Sequence, residues 1–447
     1  MEPSEPTANV PESTEQPRKI AGIIIVGHAF QHIYADGFLI LLPFIYAAFG
    51  MTPITGGLFS MIRQAASGLM TMGGGFAIDT FSGRRGLLLA SSLFLMGFGY
   101  MMIAAAPNYV VLLIMVGIGA AAGSFWHPIG LGILSTSFPQ RRALMMAIHR
   151  SAGNIGELIT PLVVAAALVA ITWRQVLVAG FFLITGVAIA IYLILNRLGL
   201  QSKTTEKRSA GSQMKAIGHL FKERTLPILL LVSGTRGAGD RAFVFFLPLF
   251  VTREVQLANP GLSFADAALK AAPQNAALFS IMSAMAIVIP PLLALVADRT
   301  GRKPVMLGSL IASSMFLAAL WWVGKIGWQF TALIAVFGAF RFAVVNLTQA
   351  VSLDLAEGKR LEGSMIGLLW GNNATFGALS PLLLGMLITA FAVTENEYQM
   401  LFSYTLVMNL LATAAAFFLP NTGRPDRTIT ANIGDPQALD YDSLKSQ

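Results

Sequence analysis

The residues best able to do chemistry are ionisable side chains inside long apolar stretches. His28, His32 and Asp36 are spaced four residues apart, which places them on one face of a helix. Burial and neighbouring charges can bring His and Asp to titrate near neutral pH, so this face predicts a proton relay. The same three residues are candidate ligands for a transition metal. A third interpretation is structural, with His28 and His127 bonding backbone groups near a glycine and a proline.

Charged residues inside the apolar stretches are more often positive than negative. They are Arg63, Arg150, Arg236, Arg241 and Arg341, against Asp36, Glu157 and Asp240. An ionisable group in hydrocarbon costs about 2.5–3.5 kcal/mol, so each needs a partner or a water-filled cavity. The positive surplus predicts a bound anion, because the planar fork of Arg holds a carboxylate or phosphonate through two bonds. The alternative is internal pairing, which the spacing of Arg236 and Asp240 favours.

These types of side chain define two sets of candidate residues. The predicted solute-binding residues are Arg63, Arg236, Arg341, Trp126, Asn346, Trp370 and Asn373. The predicted proton-coupling residues are His32, Asp36, Glu157 and Asp240. The amides can equally serve hydrogen bonds between helices, and Arg150 can join a loop network at its end of the helix.

The composition indicates a polytopic membrane protein. Hydrophobic residues make up 55% of the chain, charged residues 12%, and the mean hydropathy is +0.68, whereas soluble domains carry about 25% charged residues. Cysteine is absent, which excludes a disulfide framework and thiol chemistry. Nucleotide-binding and zinc-hydrolase motifs are missing as well. We therefore expect neither an enzyme nor a cofactor, and an ion gradient as the energy source.

About 20 apolar residues cross a bilayer, and on this basis the sequence predicts twelve spans. They are 20–47, 54–78, 86–105, 108–136, 143–169, 174–195, 227–252, 272–297, 304–324, 328–353, 364–391 and 399–419. This topology puts most of the 30 Lys and Arg residues on the side of the two termini, which the positive-inside rule makes cytoplasmic. The net charge of +8 is thus explained by topology, and no nucleic-acid partner is expected.

The spans divide the chain into two halves. The predicted units are a disordered tail (1–19), a six-helix bundle (20–196), a cytoplasmic linker (197–226), a second six-helix bundle (227–419) and a C-terminal tail (420–447). The linker is the one long polar interruption, and part of it (213–222) suits a short surface helix. A long external loop is expected over about 252–273.

A short polar turn occurs once in each half. The copies are Gly75–Arg85, with Gly75, Asp79, Arg84 and Arg85, and Ala294–Lys303, with Asp298, Gly301, Arg302 and Lys303. The two aspartates are 219 positions apart. Thr160-Pro161 similarly corresponds to Ser380-Pro381. The repeat indicates a duplicated membrane protein.

Twelve spans, a basic central linker and two such loops resemble the major facilitator superfamily. Residues 27–30, 125–128 and 153–156 are further similar to its fosmidomycin-resistance branch, whose members export drugs. The resemblance implies an all-α fold of two pseudo-symmetric six-helix bundles that rock around a mid-membrane site. It implies that spans 1, 4, 7 and 10 line the cavity, and that the two loops gate it. Gly153 and Gly156 are expected to pack the fifth span against the eighth.

The predicted function is secondary active transport by alternating access. Proton-coupled export of a small organic anion or drug is the leading hypothesis, which implies an antiporter, contacts with membrane lipid, a bacterial inner membrane and a monomer. Proton-coupled uptake of an organic anion is an alternative. Export of a transition metal through His28, His32 and Asp36 is another.

Overall fold

The computed structural model describes residues 15–80, 84–138, 141–198, 218, 221–222, 224–356, 362–392 and 394–423. The described residues form α-helices joined by short turns, with no strand among them. The helices are α1 (Glu15–Ala35), α2 (Phe38–Ala48), α3 (Pro53–Thr80), α4 (Arg85–Ala105), α5 (Tyr109–Ser124), α6 (Trp126–Ser137), α7 (Arg142–Ala170), α8 (Trp173–Arg197), α9 (Thr225–Leu257), α10 (Phe264–Thr300), α11 (Arg302–Val323), α12 (Trp328–Ala356), α13 (Glu362–Phe391) and α14 (Met400–Ala416).

Apolar length accounts for most of these helices. Ten spans among the described residues are long and apolar enough to cross a membrane, counting α1 with α2 and α5 with α6 as one each. The remaining two predicted spans correspond to α3 and α9, whose 28 and 33 residues are equally long. Arg63 lies within α3, and Arg236, Asp240 and Arg241 lie within α9, so polar groups lower their mean hydropathy. The twelve predicted spans are therefore present as helices.

Side-chain caps fix where several helices begin. The side chain of Asn108 accepts a hydrogen bond from the Val111 backbone at 3.0 Å at the start of α5. Thr172 and Gln175 form a reciprocal capping box at the start of α8. These bonds satisfy backbone N–H groups that the first helical turn leaves unpaired.

The first and fourth predicted spans are interrupted near mid-length. The first breaks at Asp36 and Gly37 between α1 and α2, and the fourth breaks at Phe125 between α5 and α6. Both breaks adjoin candidate chemical residues, since Asp36 occupies the first and His127 follows the second. Interrupted helices are characteristic of transporter sites, where opened backbone groups face a cavity.

The expected long loop over 252–273 is wrong. Helix α9 continues to Leu257 and α10 begins at Phe264, so only a six-residue turn separates them. The side chain of Ser263 caps α10 by accepting from the Asp266 backbone at 3.1 Å. Alanines follow the cap and favour a helix, and Pro273 is accommodated inside it. The additional residues of the C half therefore lengthen α9 and α10 and do not form a long loop.

The predicted tails and linker are only partly described. Helix α1 begins at Glu15, so the residues just before the predicted first span are helical. Most of 197–226, including most of the expected surface helix, lies outside the described residues. At the other end, 421–423 are described and lie against the start of α11.

The N half (α1–α8) and the C half (α9–α14) meet along two seams. In the first, α3 packs against α13 through small residues. A Cβ atom on Gly68 would lie 2.5 Å from that of Ala374, and one on Gly57 would lie 2.6 Å from the Cα of Leu382. In the second, α7 packs against α10. Such spacing is possible only because the residues are small.

The bundle is closed at its distal end, which is the end away from Glu15 and residues 421–423, where α2 leads into α3. The ring of Tyr46 in the N half lies 6.2 Å from that of Phe264 and 6.4 Å from that of Tyr398, both in the C half. One level below, Phe59 and Phe245 approach across the halves at 6.5 Å. Aromatic contacts therefore join the halves on this side of the charged residues.

Candidate functional site

Four histidines form one cluster in the N half. His28 and His32 lie on α1, His127 on α6 and His149 on α7. The ring of His28 stacks on that of His149 with centroids 3.7 Å apart. It meets His32 and His127 edge-on at 4.6 and 5.1 Å. Helical spacing alone connected only His28 and His32, and the packing of α6 and α7 on α1 adds the other two.

Glycines bring α7 close to α1. A Cβ on Gly153 would lie 2.8 Å from Nε2 of His28, and one on Gly156 would lie 2.7 Å from a backbone oxygen of α1. The expectation that these glycines pack against the eighth span is therefore wrong. Helix α7 does contact α10, but there the Ser280 hydroxyl donates to the Leu158 carbonyl at 2.7 Å.

A chain of ionisable side chains continues from the histidine cluster. Nδ1 of His32 lies 2.6 Å from Oδ2 of Asp36 and 3.5 Å from Oε1 of Glu157. Glu157 also contacts Arg150, with Nη2 and Oε1 3.2 Å apart. Arg150 thus pairs with a carboxylate of its own helix. The four groups connect α1 with α7 in a continuous series of ion-pair contacts, of which the one between His32 and Asp36 is a hydrogen bond.

The ends of this series are more exposed than its centre. The side chains of Asp36 and Arg150 are 30% and 52% exposed, whereas those of His32 and Glu157 are 11% and 16% exposed. Asp36 also lies at the break between α1 and α2. A proton entering at Asp36 would therefore reach a buried imidazole directly. This arrangement is suited to proton transfer.

The histidines and carboxylates form two possible metal-ligand groups. Ligand atoms of His28, His127 and His149 all lie within 4.8 Å of one another, and so do those of His32, Asp36 and Glu157. The predicted set of His28, His32 and Asp36 is therefore divided between the two groups. Nδ1 of His28 and both ring nitrogens of His149 are buried without a hydrogen-bond partner among the described residues. Backbone hydrogen bonding thus does not explain these nitrogens.

In the C half, the charged residues are paired with one another. Arg341 on α12 holds Asp240 on α9 through two bonds, Nε to Oδ1 and Nη2 to Oδ2, the latter at 3.1 Å. Arg236 lies 4.0 Å from the same carboxylate and donates to the Arg341 carbonyl at 3.3 Å. All three side chains are at most 13% exposed. Internal pairing thus applies to both arginines.

Two other arginines inside the spans have no ion pair among the described residues. The guanidinium carbon of Arg63 lies 5.6 Å from the centre of the Phe38 ring, and its Nε is buried without a hydrogen-bond partner. Arg241 on α9 has more than a third of its surface exposed although it lies well inside a membrane-spanning helix. Arg241 is one of the charges that the sequence places inside the spans, but it has no predicted role.

The other predicted solute-binding residues lie in different surroundings. Trp126 is fully buried and packs against Gly27 in the N half. Trp370 is partly buried and lies 6.3 Å from the ring of His127 across the halves. Asn346 is exposed, while Asn373 accepts a hydrogen bond from Ser233 at 2.9 Å. Asn346 is thus the most accessible of these four residues.

The loop of the C half is tied to its own half. Asp298 pairs with Arg302, whose Nε lies 3.7 Å from Oδ2 of Asp354. Lys303 donates its ammonium to the Phe417 carbonyl at 2.7 Å. Gly301 has a φ of 94°, which favours glycine. This geometry makes the turn compact.

The loop of the N half is described less completely. Helix α3 contains Gly75 and Asp79 and ends at Thr80, but the side chain of Asp79 and residues 81–83 lie outside the description. Arg84 and Arg85 are described, with Arg84 exposed just before α4. The predicted gating role of this loop therefore stays a prediction.

Comparisons with known proteins agree with this architecture. The family model of the Major Facilitator Superfamily matches residues 24–269 and 255–440. The fosmidomycin resistance protein of Escherichia coli (strain K12) is 22% identical over 434 residues, covering 95% of this chain and 99% of that protein. The uncharacterized MFS-type transporter YfnC of Bacillus subtilis (strain 168) is 22% identical over 334 residues and 75% of each chain.

Solved structures show the same fold. The nucleoside transporter NupG superposes with a TM-score of 0.70 at 15% identity, over 90% of this chain and 100% of that one. A bacterial homolog of the human lysosomal transporter Spinster, in an inward-facing and unoccupied conformation, gives 0.67 at 14% identity, over 90% and 95%. The chain is an integral membrane protein and not an enzyme, and it belongs to the Major Facilitator Superfamily of transporters.

Proposed function

We propose that this chain exports a small organic anion or drug across a bacterial inner membrane in exchange for protons. The observation that carries the proposal is the series Asp36, His32, Glu157 and Arg150, which is buried at its centre and accessible at its ends. Keeping such groups at membrane depth is costly, and imidazole is the side chain best suited to exchanging protons near neutral pH. Arg63 and Arg241, which have no ion pair among the described residues, support an anionic solute.

Alternating access supplies the mechanism. The N and C halves rock around the mid-membrane charges, so that the distal aromatic contacts at Tyr46 open when the opposite end closes. The loops at Asp79 and Asp298 latch that opposite end, which is cytoplasmic together with both termini. The carrier works as a monomer on the proton gradient and needs no cofactor.

Proton-coupled uptake is the second candidate, and the position of Arg63 favours it. Arg63 lies within electrostatic range of Asp36. Protonation of Asp36 would remove a carboxylate that competes with a solute anion for the guanidinium, so proton and anion would bind together. Export is supported by the full-length similarity to a resistance protein.

The sign of proton movement separates export from uptake. Purified protein in weakly buffered detergent is mixed with phosphonates, carboxylates, hydrophobic cations or divalent metals at two starting pH values. Exchange predicts proton release on anion binding, and co-transport predicts proton uptake. A response to cations alone would contradict both anion hypotheses. Asp36→Asn is expected to abolish the response, whereas His219→Gln, outside the spans, should retain it.

Metal export is a further candidate, favoured by the grouping of His28, His127 and His149. The metal would be cargo held by three neutral imidazoles, a ligand type suited to zinc or nickel. Co²⁺ added to untagged protein would then give a visible absorption spectrum that is lost in His28→Ala and His149→Ala. An unchanged protein spectrum would remove this candidate.

A further inference from the structure

Arg63 and Arg241 occupy corresponding positions on opposite sides of the interface between the halves. Phe59 and Phe245 meet across this interface with ring centroids 6.5 Å apart. Arg63 lies four residues after Phe59 on α3, and Arg241 lies four residues before Phe245 on α9. A separation of four residues keeps side chains on one helical face. Each arginine is therefore on the face that carries the cross-interface phenylalanine.

The directions of the two helices put both arginines on the same side of that aromatic contact. Helix α3 runs away from the distal end and α9 runs towards it, so Arg63 and Arg241 each lie one turn below the phenylalanines. The two guanidinium groups are within electrostatic range of each other. One cationic group from each half thus lies beneath the distal closure.

The charge at this position is not balanced. Asp36 is the carboxylate within electrostatic range of both arginines, but its Oδ2 is held by His32 at 2.6 Å. Asp240 neighbours Arg241 in sequence, yet both of its oxygens bind Arg341. Asp36 and Asp240 thus act on these two arginines only at a distance, because each carboxylate is engaged by another side chain. Like charges in a low-dielectric site repel strongly. A bound anion would remove this repulsion.

The residues around Arg63 and Arg241 make this position suitable for a small solute. A Cβ on Gly377 of α13 would lie 2.8 Å from Cγ of Arg241, so the missing side chain makes room for the arginine stem. Phe38 stacks on Phe59 at 5.5 Å and also lies beside the guanidinium of Arg63. The charged fork of Arg63 is thus bordered by an aromatic ring, which suits an organic anion better than an inorganic one.

We propose that Arg63 and Arg241 together bind the oxyanion group of the transported solute. The inference rests on the proposed transport of an organic anion and replaces Arg236 and Arg341, which Asp240 already occupies, as the binding pair. The ligand is a small organic molecule with a carboxylate or phosphonate, whose oxygens accept from one fork in each half. Because the pair spans the interface, the anion holds the two halves together beneath the closed distal end.

Equilibrium binding to the purified full-length protein tests this site. The probes are benzoate and phenylphosphonate, with neutral benzyl alcohol and cationic benzylamine as controls of similar shape. Binding is followed by the rise in melting temperature with probe concentration, which reports the affinity for the folded state. We expect one or both anions to stabilise the wild type, and the two anion arms distinguish a carboxylate site from a phosphonate site.

Substitutions then assign the binding to the pair. Arg63→Gln and Arg241→Gln are each expected to weaken anion binding at least tenfold, and Arg63→Lys should restore part of the loss because it keeps charge without the fork. Arg174→Gln, an exposed arginine at the distal surface, is the matched control and should bind like the wild type. Variants are compared at equal monodispersity, so misfolding is recognised separately.

Two results overturn the proposal in different ways. If the wild type binds an anion and both glutamine variants bind it within threefold of wild type, the site is elsewhere and anion transport survives. If no anion stabilises the wild type and benzylamine does, then both the site and the proposed function fail.

Discussion

The two halves of the molecule handle membrane-buried ionisable groups in opposite ways. In the C half, Arg236, Asp240 and Arg341 satisfy one another, with two bonds between Arg341 and the carboxylate. In the N half, ring nitrogens of His28, His32 and His149 are buried without a hydrogen-bond partner among the described residues. Charges that satisfy one another stabilise a structure, whereas unsatisfied titratable groups are available for exchange. The described residues of the two halves thus differ: the C-half cluster is internally paired, whereas the N-half cluster contains ring nitrogens without a hydrogen-bond partner.

The largest effect is expected from breaking the C-half cluster at Asp240. Asp240→Asn leaves two buried guanidinium groups without their carboxylate, and removing one partner of a buried ion pair typically costs about 3–5 kcal/mol. We expect a large fall in the melting temperature of the detergent-solubilised protein, or no folded protein. An unchanged melting temperature would show that Asp240 does not hold the half together.

Substitutions in the N-half cluster should change transport more than they change stability. His32→Gln removes the centre of the proton series and is expected to flatten the pH dependence of transport between about pH 5 and 8, where imidazole exchanges protons. The melting temperature should change much less than in Asp240→Asn. Transport by proteoliposomes at several pH values measures this effect. A variant that keeps the wild-type pH profile would exclude His32 from coupling.

A smaller effect is expected from the packing that supports the histidines. In Gly153→Ala the new methyl group would lie 2.8 Å from Nε2 of His28, so the ring must shift. Overpacking of this kind typically costs about 1–3 kcal/mol, seen as a moderate fall in melting temperature. Gly186→Ala in the same half is the control, since its Cβ meets no atom within 4 Å. Equal melting temperatures of the Gly153→Ala and Gly186→Ala variants would contradict the close approach of α7 to α1.

The smallest effect on stability is expected at the C-half loop. Asp298 is 57% exposed where it pairs with Arg302, and exposed ion pairs contribute about 0–1 kcal/mol. Asp298→Asn should therefore leave the melting temperature nearly unchanged, in contrast to Asp240→Asn. A slower transport rate in this variant would support the gating role, and a large loss of stability would contradict the comparison between the two ion pairs.

Apolar length and loop repetition were enough to predict the twelve spans and the family, but not the breaks that divide two of these spans into two helices each. Contacts between distant segments were not predictable. Arg341 had no evident partner because Asp240 lies 101 positions away on another helix. His127 and His149 joined His28 only through the packing of α6 and α7. The length of the turn after α9 was overestimated, because the Ser263 cap and the alanines after it start the next helix earlier than expected.

The α3–α13 seam has a practical consequence that follows from its geometry. The backbones of α3 and α13 approach closely at two levels, where Gly57 lies opposite Leu382 and where Gly68 lies opposite Ala374. If the halves rock apart at the distal end as proposed, the first pair must separate, while the second, deeper pair can remain in place. Because the chain contains no cysteine, thiol pairs or spin labels can be introduced at either level without background. Cysteine pairs placed at each level can therefore be used to measure how far α3 and α13 separate there during a transport cycle.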